Sequence, residues 1–334
     1  MVRLGTIPLC YIVTNQLNPA RRMVSRRLPV LSVFCMAAMS VGLALPVTTS
    51  ARLPPVALNH LYVVLDQASF DAIQRSDAVA RLLSPPDTGL PGYAAPDDGA
   101  DRLFLRGRTT YLELFAPGNR FGEPVGRVGL AIGYDAPRDL GRLETAWRAV
   151  YPDVRRSDVH WRRTTPPVPW YDAVQRDATA DNPHLVLWAM TYRPELVAWL
   201  APSVDATPRT SRADVLAPRW RHAQGLIDII GVHVGVPGPL RQQLDDQLSR
   251  AGLDRRTSGE DLVLEGLGWT LHLAEADAPG LRALDLQTAP RADGPCAMDW
   301  GSTRLVLAAD GESRWWFAGR SPAQSAPVCP TATH

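Results

Sequence analysis

Two stretches of the chain, Leu58-Asn59-His60-Leu61-Tyr62-Val63-Val64-Leu65-Asp66 and Thr110-Tyr111-Leu112-Glu113-Leu114-Phe115, change side-chain character from one residue to the next. An extended strand turns such a period of two into two faces, so both stretches read as half-buried strands. In the first, His60, Tyr62 and Val64 share one face while Leu61, Val63 and Leu65 share the other; in the second, Tyr111, Glu113 and Phe115 oppose Leu112 and Leu114. The aliphatic faces belong in a core. The other two place an imidazole and a carboxylate among aromatic rings, the make-up of a pocket wall.

The neighbouring segments extend the pattern. Residues 56–66 form the first strand, and Ser69 to Leu83 reads as one helix capped by Ser69, with Phe70, Ile73, Val79, Leu82 and Leu83 on its apolar side. Ser84 to Asp101, rich in Pro, Gly and Asp, is a loop positioned as a flap. Strands at 102–106 and 109–115 follow. From Gly126 the outline repeats, with a strand at 128–134, a helix at 137–151 and strands at 159–163, 170–174 and 184–192. A short helical piece at 195–200 leads into a Pro, Arg and Asp-rich linker over 201–225. A third unit, 226–288, opens with a strand at 226–236 that is apolar on both faces. It continues with a helix at 239–251 ended by Gly252, then strands at 262–264, 269–274 and 281–287. Residues 289–334 hold a C-terminal hairpin, 304–308 with 314–318 around Asp310-Gly311, and a tail. The expected fold class is α+β, with paired units over 56–200.

Charge and composition narrow the function classes. The chain carries 35 basic against 34 acidic residues, and every basic one is arginine. Such a balance gives no reason to expect a nucleic-acid partner, and the lack of lysine removes Schiff-base and P-loop chemistry. Arg26-Arg27, the apolar run from Leu28 to Leu45 and the small residues from Thr48 to Ala51 read as a signal peptide over 1–51, with Met23 as an alternative start. The competing reading is a single membrane anchor. Cleavage leaves a periplasmic or secreted protein of about 280 residues with no membrane segment. Of four cysteines, Cys296 and Cys329 then survive; in an oxidising compartment they can close a disulfide, the alternative being two free thiols.

Repeated strand-helix-strand-strand-strand units with His in the first strand, Asn59-His60-Leu61, and Glu in the last, Tyr111-Leu112-Glu113-Leu114-Phe115, resemble the glyoxalase, bleomycin-resistance and extradiol-dioxygenase superfamily, also called vicinal oxygen chelate proteins. Together with Pro169-Trp170-Tyr171 and Leu187-Trp188-Ala189-Met190-Thr191-Tyr192, these motifs are similar to an uncharacterised bacterial glyoxalase-like family. The resemblance implies βαβββ modules whose curled mixed sheets enclose a cavity for a small molecule. It also implies a divalent metal ion (Zn, Fe, Mn or Ni) held at His60 and Glu113. Aligning Asp66 with Asp135 puts Gly129 and the stretch Trp188-Ala189-Met190 where the partner unit's ligands would stand. A third ligand must come from elsewhere; His272 of the third unit is the candidate, giving a His60-Glu113-His272 triad.

Tyr62, Arg106, Tyr111, Phe115, Trp170, Trp188 and Tyr192 are the candidate ligand-binding residues, and a buried Glu113 is expected to accept from the His60 imidazole or from Arg106. His233, on a face with Gly231 and Gly235, reads as structural; His160, His184 and His222 read as exposed. Three functions stay open. One is an exported, metal-dependent lyase, isomerase or dioxygenase-type enzyme in which His60 and Glu113 are ligands or an acid/base pair. Another is a metal-free protein of the same fold that sequesters a small molecule, and the third is an interaction domain at the cell envelope. No Gly-x-Ser-x-Gly elbow is present.

Overall fold

The computed structural model describes residues 53–90, 92–180, 182–201, 210–221, 224–258, 261–277, 279–317 and 327–329. The expected signal peptide with Met23, and His222, lie outside the described residues.

The chain runs β1 (Ala57–Val64), α1 (Gln67–Gln74), α2 (Asp77–Leu82), β2 (Arg102–Arg106), β3 (Tyr111–Phe115), β4 (Val128–Gly133), α3 (Pro137–Arg148), β5 (Val154–Trp161), β6 (Val168–Arg176), α4 (Asp177–Ala180), β7 (Leu185–Tyr192), α5 (Pro194–Leu200) and α6 (Arg212–Leu216). It continues with β8 (Leu226–Val236), α7 (Gly238–Arg250), β9 (Asp254–Ser258), β10 (Asp261–Gly266), β11 (Trp269–Glu275), β12 (Gly280–Thr288), β13 (Cys296–Trp300), β14 (Thr303–Leu307) and β15 (Glu312–Trp316). None of the described helices is long and apolar enough to cross a membrane.

Two large mixed sheets result, making an α+β protein that is mostly strand. Their orders are β2-β3-β1-β4-β7-β6-β5 and β13-β14-β15-β12-β8-β11-β10-β9. At the centre of the first, β1 and β4 pair antiparallel, and each has a parallel strand on its other side, β3 beside β1 and β7 beside β4. Parallel neighbours need a long crossover; α1 and α2 lie on one such connection and α3 on the other. The second sheet has β8 antiparallel to β12 and parallel to β11, with α7 on the crossover. Both sheets run open from edge to edge, in place of the expected strong curl.

Several expected elements divide differently. The helix expected over 69–83 is two, and Asp66 rather than Ser69 caps the first, accepting from the Ser69 N–H at 2.8 Å. The Ser69 and Ser302 hydroxyls donate to the same carboxylate as well. Strand 281–287 does not close a third unit: β12 lies between β8 and β15, antiparallel to both. The strand after α7 is β9, whose Asp254-Arg255-Arg256 start carries no apolar alternation to reveal it. Pairing of β14 with β15 around the Asp310-Gly311 turn continues an eight-stranded sheet and is not an appended unit. Residues 212–216, inside the expected linker, form α6, closed by a Ser211 and Asp214 capping box.

The strand alternation sorts the interior. Leu61, Val63, Leu112, Leu114, Leu130 and Ile132 turn one face of the first sheet toward α1–α3, α7 and the second sheet's Val232, Val234, Leu271 and Leu284. Each fully buried side chain of this kind contributes roughly 1.5–3 kcal/mol. Tyr62, Val64, Tyr111, Phe115, Trp188, Met190 and Tyr192, on the opposite face, form a separate cluster that Leu196 and Val197 of α5 and Val215 and Leu216 of α6 close over. Polar bonds tie the sheets together. Trp147 Nε1 donates to the Gln247 carbonyl at 3.2 Å and Trp269 Nε1 to that of Val56 at 3.1 Å. Cys296 and Cys329 are joined by a disulfide; with a sequence separation of 33, loop closure of that length is worth roughly 3–4 kcal/mol.

Candidate functional site

Parallel pairing of β1 and β3 sets His60 beside Tyr111, Tyr62 beside Glu113 and Val64 beside Phe115. The two mixed faces recognised in the sequence are therefore one continuous face. Beside them, the edge strand β2 contributes Arg102 opposite Phe115, Phe104 opposite Glu113 and Arg106 opposite Tyr111. On the other flank Gly129 of β4 lies opposite Tyr62, and a β-carbon there would come within 1.7 Å of the Tyr62 ring. Glycine at 129 is thus the room in which that ring lies, and this explains why no ligand-type residue stands there.

Over this face is a cavity of about 230 Å³. His60, Tyr62, Arg106, Tyr111, Glu113, Trp170, Trp188 and Tyr192 line it, as do Tyr93, Phe104, His160 and Trp161. Phe115 does not; it packs behind, edge-on to Tyr62 and Phe121 at 5.4 and 5.5 Å between ring centroids. His160, expected to be exposed, is half-buried at the cavity edge. The Ser84–Asp101 loop is pinned rather than loose: Asp87 bridges Phe104 through backbone bonds of 3.1 and 2.9 Å. Its carboxylate accepts from Arg106 Nε at 2.5 Å and Nη2 at 2.9 Å. Arg106 therefore bonds Asp87 on the loop side rather than Glu113, for which it was one of two expected partners; it acts on Glu113 through its charge alone.

His60 Nε2 stands 3.9 Å from Glu113 Oε1, with both side chains nearly buried. The imidazole stacks on Tyr111 at 4.4 Å and meets Trp188 edge-on at 5.3 Å. Burial, helped by the charge of Arg106, holds its pKa down at about 3, so the ring is neutral. His60 Nδ1 lies 2.8 Å from Asn59 Oδ1; an amide oxygen only accepts, so Nδ1 carries the proton and Nε2 presents its lone pair to Glu113. The Tyr192 hydroxyl donates to the same Asn59 oxygen at 3.1 Å. Adjacent residues of a regular strand point to opposite faces, but the register against β4 shifts between Leu58 and His60. A bulge at that point lets Asn59 reach its neighbour's ring. Burial pushes Glu113 up to about 7, against the opposing charges of Arg102 and Arg106 and a hydrogen bond with Tyr111. One group is neutral across the physiological range; the other changes charge within it.

His272 is not part of this pair. It sits on β11 in the second sheet, its ring stacked on that of His233 at 4.1 Å. The expected His60-Glu113-His272 triad is therefore not assembled, because β11 pairs with β8 and not with the first sheet. His272 joins His233 and Asp285 instead, with one ligand atom from each lying within 4.8 Å of the others. Asp285 Oδ2 accepts from His233 Nε2 at 2.7 Å, and Oδ1 accepts from Arg314 Nε at 2.5 Å. Burial alone would raise the Asp285 carboxyl, but these two partners hold it below its ordinary range. Burial and then the neighbouring His233 lower His272. Gly231 makes the cluster possible, since a β-carbon there would lie 2.4 Å from Asp285 Oδ2. The cross-strand pairing of Gly231 with Asp285 is what brings that carboxylate to His233.

The sequence matches a family of unknown function, DUF5829, over residues 58–317. The chain belongs to that family. No curated protein matches it. Solved structures to which this DUF5829 member is similar include a hypothetical protein from Staphylococcus aureus, with a TM-score of 0.49 and 11% identity over 78% of this chain and 98% of that one. They also include an extradiol ring-cleaving dioxygenase from B. fuscum (TM-score 0.41, 12% identity, 83% of this chain and 75% of that one). A third is the Mn(II)-bound glyoxalase from Novosphingobium aromaticivorans (TM-score 0.41, 10% identity, 78% and 81%). No residue role is carried over from any of them.

Proposed function

We propose that the cavity of the first sheet takes a small molecule and that Glu113, oriented against neutral His60, moves a proton to or from it. The observation carrying this reading is the close His60 and Glu113 pair on the wall of an aromatic cavity, with the carboxyl held at about 7. A group that changes charge near the working pH is what general acid/base catalysis needs. The volume is informative too: an apolar cavity of about 150 Å³ accommodates benzene, so about 230 Å³ suits one ring with a substituent. The Nε2 lone pair of His60 is placed to accept a bond from a substrate hydroxyl; at 3.9 Å it makes none with Glu113.

A divalent ion fits this pair poorly. His60 Nε2 and Glu113 Oε1 are two donors, and among the described residues no third His, Cys, Asp or Glu joins them; no step is routed through a metal there. The donor chemistry of His233, His272 and Asp285 does fit a Zn, Fe, Mn or Ni ion, two imidazoles and a carboxylate being a common set. On this second reading His233, His272 and Asp285 would hold the ion, which would supply Lewis acidity there, while Arg314 orients the Asp285 carboxylate. Export to the periplasm or medium belongs to the same proposal, supported by the Arg26-Arg27 and Leu28–Leu45 pattern and by a disulfide of the kind oxidising compartments maintain.

A ligand-observed NMR screen of single-ring molecules against the wild type, Glu113→Gln and His60→Ala tests the proposal. Hits lost in His60→Ala, and consumed by the wild type but not by Glu113→Gln, support an enzyme. Hits bound but never consumed leave a binding protein. No hit that depends on either residue overturns the cavity reading, and stoichiometric metal in the wild type that disappears in His272→Ala selects the second.

A further inference from the structure

The cavity is not uniformly apolar, and three guanidinium groups at its mouth make no direct ion pair among the described residues. Arg102 projects from edge strand β2 onto the cavity face, half-buried, with its guanidinium 5.4 Å from the Phe104 ring centroid and 5.9 Å from that of Phe121. Arg120 and Arg163 line the same mouth, above Phe121 and Trp161 at 4.9 and 5.4 Å, and all three also border an adjoining groove. Arg106, Arg127, Arg156, Arg176 and Arg212 each pair with a carboxylate, whereas none of these three makes an ion pair among the described residues. Asp101 and Glu113 are the nearest opposite charges; Asp101 spends Oδ2 on the Arg120 backbone N–H at 3.2 Å. Burial, then repulsion from Arg120, hold the Arg102 pKa below its ordinary value. Three guanidinium groups brought together against aromatic rings, with no carboxylate in ion-pair contact among the described residues, cost free energy that an anion would return.

We infer that the molecule taken by this cavity is a small aromatic or similarly sized anion, its charge bound by Arg102 with Arg120 and Arg163 while its ring lies against Tyr111, Trp188 and Phe104. The inference rests on the cavity being the binding site, as proposed above. A planar guanidinium with two aligned N–H donors matches a carboxylate or a phosphate bidentately. Orientation follows, because an anion at Arg102, on the edge strand, leaves the remainder of the molecule to point inward at Glu113 and His60.

Calorimetric titration of benzoate, benzamide and phenyl phosphate into the wild type, Arg102→Gln and Arg163→Gln tests it. Benzamide matches benzoate in size and lacks its charge. The inference predicts that benzoate or phenyl phosphate binds the wild type roughly tenfold more tightly than benzamide, the worth of one charge-assisted pair. Whichever anion binds more tightly identifies the group, carboxylate or phosphate. Arg102→Gln should abolish the preference while leaving benzamide affinity unchanged, and Arg163→Gln, an exposed substitution that the fold tolerates, should reduce it only in part. Equal binding of charged and neutral probes by the wild type, or an equal loss of both in Arg102→Gln, overturns the inference and leaves the cavity reading standing. Failure of all three probes to bind overturns both.

Discussion

Glu113 and His60 are displaced in opposite directions by the same burial, and this has a consequence for stability. Folded Glu113 titrates at about 7 against an ordinary 4.5, so the folded state holds an extra proton between those values. Its contribution is fully present below 4.5 and is lost as pH rises to about 7, roughly 3 kcal/mol in all. Folded His60 titrates at about 3 against 6.5; there the unfolded state holds the proton, and stability is lost as pH falls through that window. Between pH 4.5 and 6.5 the two slopes cancel. Removing the carboxyl in Glu113→Gln exposes the histidine slope alone. The difference in unfolding free energy, wild type minus Glu113→Gln, should fall by roughly 3 kcal/mol from pH 4.5 to 7; a flat difference in urea titrations would place Glu113 in a solvated setting. The alternation of 58–66 and 110–115 made these two residues legible as site residues. Asn59 was not, because its role depends on a bulge, and a bulge is a property of the pairing with β4 rather than of β1 alone.

At the scale of elements, the turn between β2 and β3 is built on the second sheet. Asp228 of β8 accepts from the backbone N–H groups of Thr109 and Thr110 at 2.7 and 2.9 Å and from their hydroxyls at 3.2 and 3.0 Å. Gly107 in this turn has room for no more, since a β-carbon would lie 2.7 Å from the Ile227 carbonyl. The contact holds the turn that leads from Arg106 into Tyr111, and so the register of the cavity's edge. Asp228→Ala leaves two N–H groups without their acceptor and should cost roughly 2–4 kcal/mol in denaturant unfolding; a loss under about 0.5 kcal/mol would mean that water replaces the carboxylate without penalty. Nothing in Leu226–Val236 beyond one acid in an apolar strand announced this. Local patterns found most strands but merged α1 and α2 into one helix, because the Arg75-Ser76-Asp77 break preserves the spacing of Phe70, Ile73 and Val79. Strand β9 and the place of β12 were lost for a related reason: strand order is fixed by long-range pairing that no window of sequence contains.

For the whole molecule, the two sheets share one aliphatic core and carry polar clusters on their other faces: a partly open aromatic cavity on the first, and His233, His272 and Asp285 on the second. The sequence offered His272 as a third partner for His60 and Glu113, but each sheet keeps its own polar set. For the cavity we propose a proton-handling His60 and Glu113 pair with a cationic rim. That claim is tested most directly by carboxyl-resolved NMR titration of Glu113, with the His60 ring followed in the same samples. The account predicts a Glu113 midpoint at about 7 and a His60 ring that stays neutral down to about pH 3. A Glu113 midpoint near 4.5 with His60 protonating near 6.5, the ordinary values of both groups, would contradict it.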